Sequence, residues 1–266
     1  MSGTVSAAHR EYLRRRARRR AAVQLARWAV LVAAVGAWEA AARWRLVDPF
    51  ITSQPSRIWQ GLVRLAAGGE LWMHLGVTVA ETAAGFLLGT LLGIGIAVVL
   101  WWSPFWSDVA EPYIVMLNSI PKVALGPIFI VWLGTNVKAV LAMAVAISVI
   151  VTVLMMFSAF REVDRHKITL LKTFGATKAQ ILAKVVLPAT VPTMIASLKV
   201  NVGLSLVGTI VGEFLGSKAG LGYLTIYGGQ VFNMSLVMAA VILLALVSIV
   251  LYYLVSYLEA RVTRGR

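Results

Sequence analysis

Residues 236–258 read LVMAAVILLALVSIVLYYLVSYL, twenty-three consecutive positions without a charge. A bilayer's hydrocarbon core is about 30 Å thick and an α-helix rises about 1.5 Å per residue, so roughly 20 apolar residues cross it. The stretch has that length and no strict alternation, and it reads as a spanning helix. Only helices and closed barrels satisfy every backbone polar group in lipid, so the other long apolar runs belong to the same kind of structure. Working back along the chain, these lie at roughly 191–215, 137–160, 112–133, 78–102 and 28–44. The expected fold is an all-α membrane protein of about six transmembrane helices.

Composition points the same way. The 266 residues carry a net charge of +14, yet only 14% are charged and 59% are hydrophobic, with a mean hydropathy of +0.82. Soluble domains have about a quarter of their residues charged. Disorder, a disulfide scaffold and a nucleic-acid binder with a solvated basic face are excluded. With no cysteine, thiol catalysis and Cys-based metal sites are excluded too. His9, His74 and His166 are scattered without metal-ligand spacing. No GxxxxGK[ST] loop occurs, so this chain does not hold ATP by that device. The acids in or at the ends of spans, Glu39, Glu81 and Glu213, are too few for a proton relay. No enzyme activity and no cofactor is expected of the chain itself.

Between the spans, residues 1–27 form a basic tail with eight arginines, suited to anionic headgroups. The apolar run after it reads as an uncleaved first span, because the basic region is too long for a signal peptide and further spans follow. In 43–77, Ile58, Trp59, Leu62, Val63 and Leu65 recur at helical spacing and predict a short amphipathic helix. Gly85, Gly89, Gly93 and Gly95 give the second span a small face for close helix packing. Residues 103–111 read as a short turn, 161–188 as a long polar loop, 216–229 as a Gly-rich loop and 259–266 as a tail. Six spans put both tails and the 161–188 loop on one side with seventeen Lys and Arg, against six on the other. The termini are therefore expected in the cytoplasm.

Two places could carry function. In 161–188, Ile168, Leu171 and Phe174 share a helical face, Gly175 breaks the pattern, and Ile181, Leu182 and Val185 resume it, with Lys172, Lys178 and Lys184 on other faces. Two short amphipathic helices joined at Gly175 would make a knob. Periodicity alone fits docking into a partner's groove and lying on lipid headgroups equally well. The second place is the third span, interrupted at Ser119-Ile120-Pro121-Lys122 and again at Pro127. Broken helix is tolerated in a membrane where protein or a water-filled cavity meets the loosened carbonyls. Asn118, Ser119, Pro121 and Lys122, with Lys199 and Asn201 in the fifth span and Glu213 at its end, are pathway or gate candidates. Lys199 suits an anionic solute, but equally a carboxylate from another span, since Glu213 lies about 21 Å away along its own helix. A channel or secondary transporter is the competing reading; it gives the knob no role.

Phe174-Gly175-Ala176-Thr177, followed by Val185-Val186-Leu187-Pro188, resembles the coupling loop of ABC importer permeases. Thr169-Leu170-Leu171 stand where that family has Glu-Ala-Ala. The 119–134 segment, from Ser119-Ile120-Pro121-Lys122 to Trp132-Leu133-Gly134, is similar to the nitrate, sulfonate and taurine branch. So are Glu213-Phe214 with Gly220-Leu221-Gly222-Tyr223, and Trp38-Glu39 with Pro55-Ser56. The resemblance covers about residues 36–258 and implies a type I importer permease fold in a cell membrane, transporting a small solute. It implies coupling through Leu171, Phe174, Gly175, Ala176, Lys178, Ile181, Leu187 and Pro188 to a separate ATP-binding subunit. A second permease copy and an extracytoplasmic solute-binding protein complete the implied set. Gly220, Gly222 and Tyr223 would lie on the outer loop, against that binding protein or as a plug.

Overall fold

The computed structural model describes residues 7–263; the outermost tail positions, Arg264 and Arg266 among them, lie outside the described residues. Two compact units are present, 1–63 and 64–266. All regular structure among the described residues is helical.

In the first unit, α1 (Ala7–Arg43) runs unbroken from the Arg-rich segment into the first span. The basic tail is thus helical from Ala7, because its Arg and Ala residues are strong helix formers. A one-turn helix, α2 (Pro49–Thr52), follows, with Asp48 accepting a bond from the Phe50 N–H at 2.9 Å. The expected amphipathic helix is α3 (Pro55–Ala67), which enters the second unit at its last turn.

The second unit is built on α4 (Glu70–Trp102), α7 (Val137–Arg161) and α10 (Leu187–Gly216), with α7 packed against both of the others. Lipid tails are as apolar as leucine, so close packing, rather than the hydrophobic effect, holds such helices together. Gly85, Gly89 and Gly93 of α4 face Ala144, Ser148 and Thr152 of α7 in step, and a Cβ on any of the three would collide. Gly95 faces open space and is outside this seam. From α10, Gly208 and Gly212 meet Ala144 and Val140 of α7. Three backbones are thereby drawn together around a single small-residue face of α7.

Three expectations are corrected. Residues 103–111 are not a turn but the start of α5 (Pro104–Ser119), whose N-cap Ser103 accepts the Trp106 N–H at 3.4 Å. Proline at the first helical positions costs nothing, since its missing N–H would be unpaired there anyway. Pro127 does not interrupt a span either: it sits in the first turn of α6 (Gly126–Leu133), after a 3-10 turn over Lys122–Leu125. The break at Ser119–Lys122 itself holds, and the two arms bend by 89°. Finally, 216–229 is not a loop. It contains α11 (Leu221–Gln230), packed between α10 and α12 (Met234–Thr263) with Leu221 and Leu224 buried.

The five long apolar helices, with the bent pair as a sixth, make up the expected spans. Most run longer than the apolar runs alone indicated. The fifth begins within the polar loop: α9 (Lys178–Ile181) passes through a π-helical turn, Leu182–Val186, directly into α10. Pro188 has no N–H to give the carbonyl four residues back, which accounts for the loosened turn before it. Just beyond, the Thr190 hydroxyl donates to the Val186 carbonyl at 2.9 Å.

Candidate functional site

The knob forms as its periodicity required. Asp164 caps α8 (Arg165–Thr173) by accepting the His166 N–H at 2.8 Å. The helix stops at Phe174, and Gly175 takes the left-handed conformation at φ +76°, which only glycine adopts without cost. The Gly175 N–H and Ala176 N–H return to the Lys172 and Leu171 carbonyls, satisfying helix-end acceptors. Thr177 then opens α9 with a capping box: its hydroxyl accepts the Gln180 N–H while the Gln180 side chain accepts the Thr177 N–H at 2.8 Å.

Ile181 and Val186 are buried with Phe157 and Phe160 from the end of α7, Val163 just beyond it, and Ala97 and Leu100 from the end of α4. Ile168, Leu171 and Ala176 pack around that cluster, with Val185 and Leu187 completing it. Lys178 reaches back to the Trp102 carbonyl and lies 5.9 Å from its ring centre. The knob is therefore seated on two span ends. Phe174 parts company with Ile168 and Leu171: it is 80% exposed, standing on the outer tip beside Gly175. Pro188 is exposed as well.

The structure splits the pathway candidates among separate places. Asn118, Ser119, Pro121 and Lys122 do gather at the 89° bend. There the Lys122 ammonium donates to the Asn118 carbonyl at 3.0 Å and the Ser119 hydroxyl to the Val115 carbonyl at 3.1 Å. A cation on the final carbonyls of α5 complements that helix's dipole. Lys199 instead forms an ion pair with Glu259 of α12, the carboxylate its own helix could not supply. Asn201, two residues on, faces the opposite way. It is buried, and its amide donates to the Thr90 hydroxyl of α4 at 2.6 Å.

Glu213 is fully buried at the far end of α10, where it anchors a polar clamp. Its carboxylate accepts the Thr78 hydroxyl at 2.7 Å and the backbone N–H of Gly222 in the first turn of α11. The Thr78 oxygen in turn accepts the Leu221 N–H at 2.7 Å, and His74 Nδ1 accepts the Gly220 N–H at 3.0 Å. Helix N-termini leave unpaired N–H groups that attract anions. Here α4 and α10 supply the acceptors that hold the start of α11. A Cβ on Gly222 would lie 2.7 Å from a Glu213 oxygen, which is why glycine stands there. Gly220 and Gly222 are thus buried and Tyr223 half-buried against His74, its ring centre 5.9 Å away, not set on an open outer loop. Glu81 of α4 is buried beside this carboxylate. Sequence reasoning missed the roles of Thr78 and His74; their spacing of four, one helical turn, was the available signal.

Residues 89–264 match the family model described as "Binding-protein-dependent transport system inner membrane component". A probable ABC transporter permease protein of Haemophilus influenzae is 31% identical over 84% of this chain and 91% of its own length. The formylaminopyrimidine transport permease protein ThiX of Halalkalibacterium halodurans is 28% identical over 84% of this chain and 88% of its own. A putative aliphatic sulfonates transport permease protein, SsuC of Bacillus subtilis, is 27% identical over 87% of this chain and 84% of its own. Among solved structures, an inward-facing MetNI methionine ABC transporter chain superposes with a TM-score of 0.62 at 21% identity. That match covers 73% of this chain and 96% of the other.

Proposed function

The chain belongs to the family of binding-protein-dependent transport system inner membrane components, and from that premise we propose that its 165–186 knob docks a separate ATP-binding subunit. The protein is a multi-pass inner-membrane permease subunit of an ABC importer of the nitrate, sulfonate and taurine branch. ATPase and solute-binding partners go with that family in general. In our reading the ATPase sits on the cytoplasmic side, with the termini and the arginines of α1. Two permease copies flank the pathway, and ATP hydrolysis occurs on the partner alone. The solute is small, of the sulfonate, taurine or nitrate kind or a vitamin or pyrimidine precursor, delivered by an extracytoplasmic binding protein.

One observation carries this reading: an aromatic ring exposed beside a left-handed glycine, on a knob whose other face is buried against two span ends. Buried Ile181 and Val186 make the knob one body with α4 and α7, so a push on Phe174 is a push on the spans. Rigid-body motion is the usual way such interfaces switch. The 89° bend, with Lys122 half-buried on this chain, is the gate candidate facing the second copy. Glu213 acts from within, by fixing α11 rather than by lining the path.

The test is a mild-detergent pull-down of the tagged chain from its host, read by mass spectrometry. A stoichiometric ATP-binding subunit is expected, and its loss with Gly175→Glu. No atom lies within 4 Å of a Cβ at Gly175, so that variant carries only the left-handed strain of about 1–2 kcal/mol and still inserts. Recovery of this chain alone, with solute flux into ATP-free liposomes, overturns the reading.

A further inference from the structure

We propose that α3 is a membrane-interface helix, lying among the lipid headgroups that border the first span with its Trp59 and Val63 stripe turned to lipid. The proposal rests on the membrane assignment and not on the coupling role of the knob.

Depth comes first. The apolar part of α1 closes at Arg43. Glu39, one turn inside that end, accepts both the Ser56 N–H at 3.0 Å and the Ser56 hydroxyl at 2.9 Å. One turn is about 6 Å. The first turn of α3 is therefore tied at the level where α1 leaves the hydrocarbon, so the helix starts at the membrane boundary and not out in water. The short path from Trp44 to Gln54, with one turn of helix at α2, supplies the return.

The faces of α3 come next. At 100° per residue, Ile58, Leu62 and Leu65 share one sector, where Ile58 is buried and the other two half-buried. Trp59 and Val63 share a second sector and are exposed, Trp59 by 68%. Arg57, Gln60 and Arg64 fill a third, all exposed. One sector is thus already withdrawn from solvent, and an exposed apolar stripe and an exposed polar stripe remain. A helix with those two free faces settles with one in the acyl boundary and the other in water.

The neighbouring residues repeat the pattern. Trp44, Leu46, Phe50 and Ile51 are exposed, interleaved with exposed Arg43 and Arg45. Tryptophan concentrates at membrane–water boundaries, and guanidinium matches the phosphate that every phospholipid carries. The one acid between Arg43 and Val63, Asp48, is occupied in capping α2. Charge complementarity therefore favours a phosphate layer as the occupant of this surface.

The absence of cysteine from the chain allows the test without background. Trp59→Cys, Val63→Cys and Gln60→Cys would each carry a nitroxide in the full-length protein, in proteoliposomes of phosphatidylethanolamine and phosphatidylglycerol. Labels at 59 and 63 should collide more with oxygen than with a water-soluble nickel chelate, at a depth of about 5–10 Å, and the label at 60 should do the reverse. All three sites are exposed, so none of the substitutions removes a core contact. Equal nickel access at 59, 60 and 63 overturns the proposal in favour of a water-facing helix. Protection of 59 and 63 from both reagents overturns it in favour of a protein partner.

Discussion

Gly208→Ala tests whether the α7–α10 seam is as tight as it looks. A Cβ at Gly208 would lie 2.5 Å from Ala144 Cα and 3.0 Å from both Ala144 N and the Met143 carbonyl oxygen. These are backbone atoms, and a rotamer change cannot clear them. Restoring ordinary contact, about 3.5 Å between such atoms, means parting the two helices by about 1 Å. Overpacking of this kind costs about 1–3 kcal/mol. Gly203 lies on the same helix with nothing within 4 Å, so Gly203→Ala should be neutral or gain up to about 1 kcal/mol from helix propensity. The assay heats both variants and the parent in mild detergent and follows the monodisperse fraction by size-exclusion chromatography. Gly208→Ala should fall at a lower temperature than the parent, and Gly203→Ala at the same or a higher one. Equal midpoints for the two alanine variants would refute the claim that backbone approach, rather than glycine content, holds this core.

Three further outcomes follow from the clamp, the ion pair and the knob. Thr78→Val leaves the Leu221 N–H and one Glu213 oxygen buried without their partner; at about 1–3 kcal/mol per orphaned group, amide exchange at Leu221 should rise about tenfold or more, and unchanged protection would remove the clamp from the account. Lys199→Met breaks a pair about 30% exposed at each side chain, so the melting midpoint should stay close to the parent's with the transport KM within about twofold; a tenfold rise in KM would return Lys199 to the solute pathway. Phe174→Ala removes an exposed ring without touching the buried cluster, so the melting profile should hold while affinity for the ATP-binding subunit falls at least tenfold, about 1.4 kcal/mol or more. Unchanged affinity would place the partner's groove elsewhere on the knob.

Where the sequence was legible, a short-range period carried the information. The apolar run of α7 was found within a residue of its observed ends, and the Gly85, Gly89 and Gly93 rhythm identified the face that meets α7. The two-helix form of the knob followed from Gly175 and the apolar spacing around it. The misreadings came where one residue type serves two purposes. Ser103-Pro104 reads as a turn by composition, but serine followed by proline is also a cap and first helical position. Gly220 and Gly222 read as loop glycines, whereas they make room for the Glu213 carboxylate. No local pattern could indicate that, because the carboxylate arrives from another helix. The same holds for Lys199, whose partner lies 60 residues away on α12, and for Asn201, whose partner lies on α4. The π-turn left one local trace, Pro188, which registered only as half of the Leu187-Pro188 motif.

The continuous helix from Lys178 to Gly216, 39 residues, joins the knob at one end to the Glu213 clamp at the other. At about 1.5 Å per residue it is a rod of about 58 Å, nearly twice the hydrocarbon thickness. Such a rod works as a lever. A tilt of about 5° about a pivot near residue 210 would move the Lys178 end by about 4 Å and the Glu213 end by less than about 0.5 Å. Its small-residue seam with α7, at Gly208 and Gly212, is where such a tilt would pivot, and it lies nearer the clamp than the knob. Unequal arms trade travel for force. Under the docking proposed above, a long stroke at the knob would arrive at Glu213 as a shorter and stronger one, suited to straining a small set of buried hydrogen bonds.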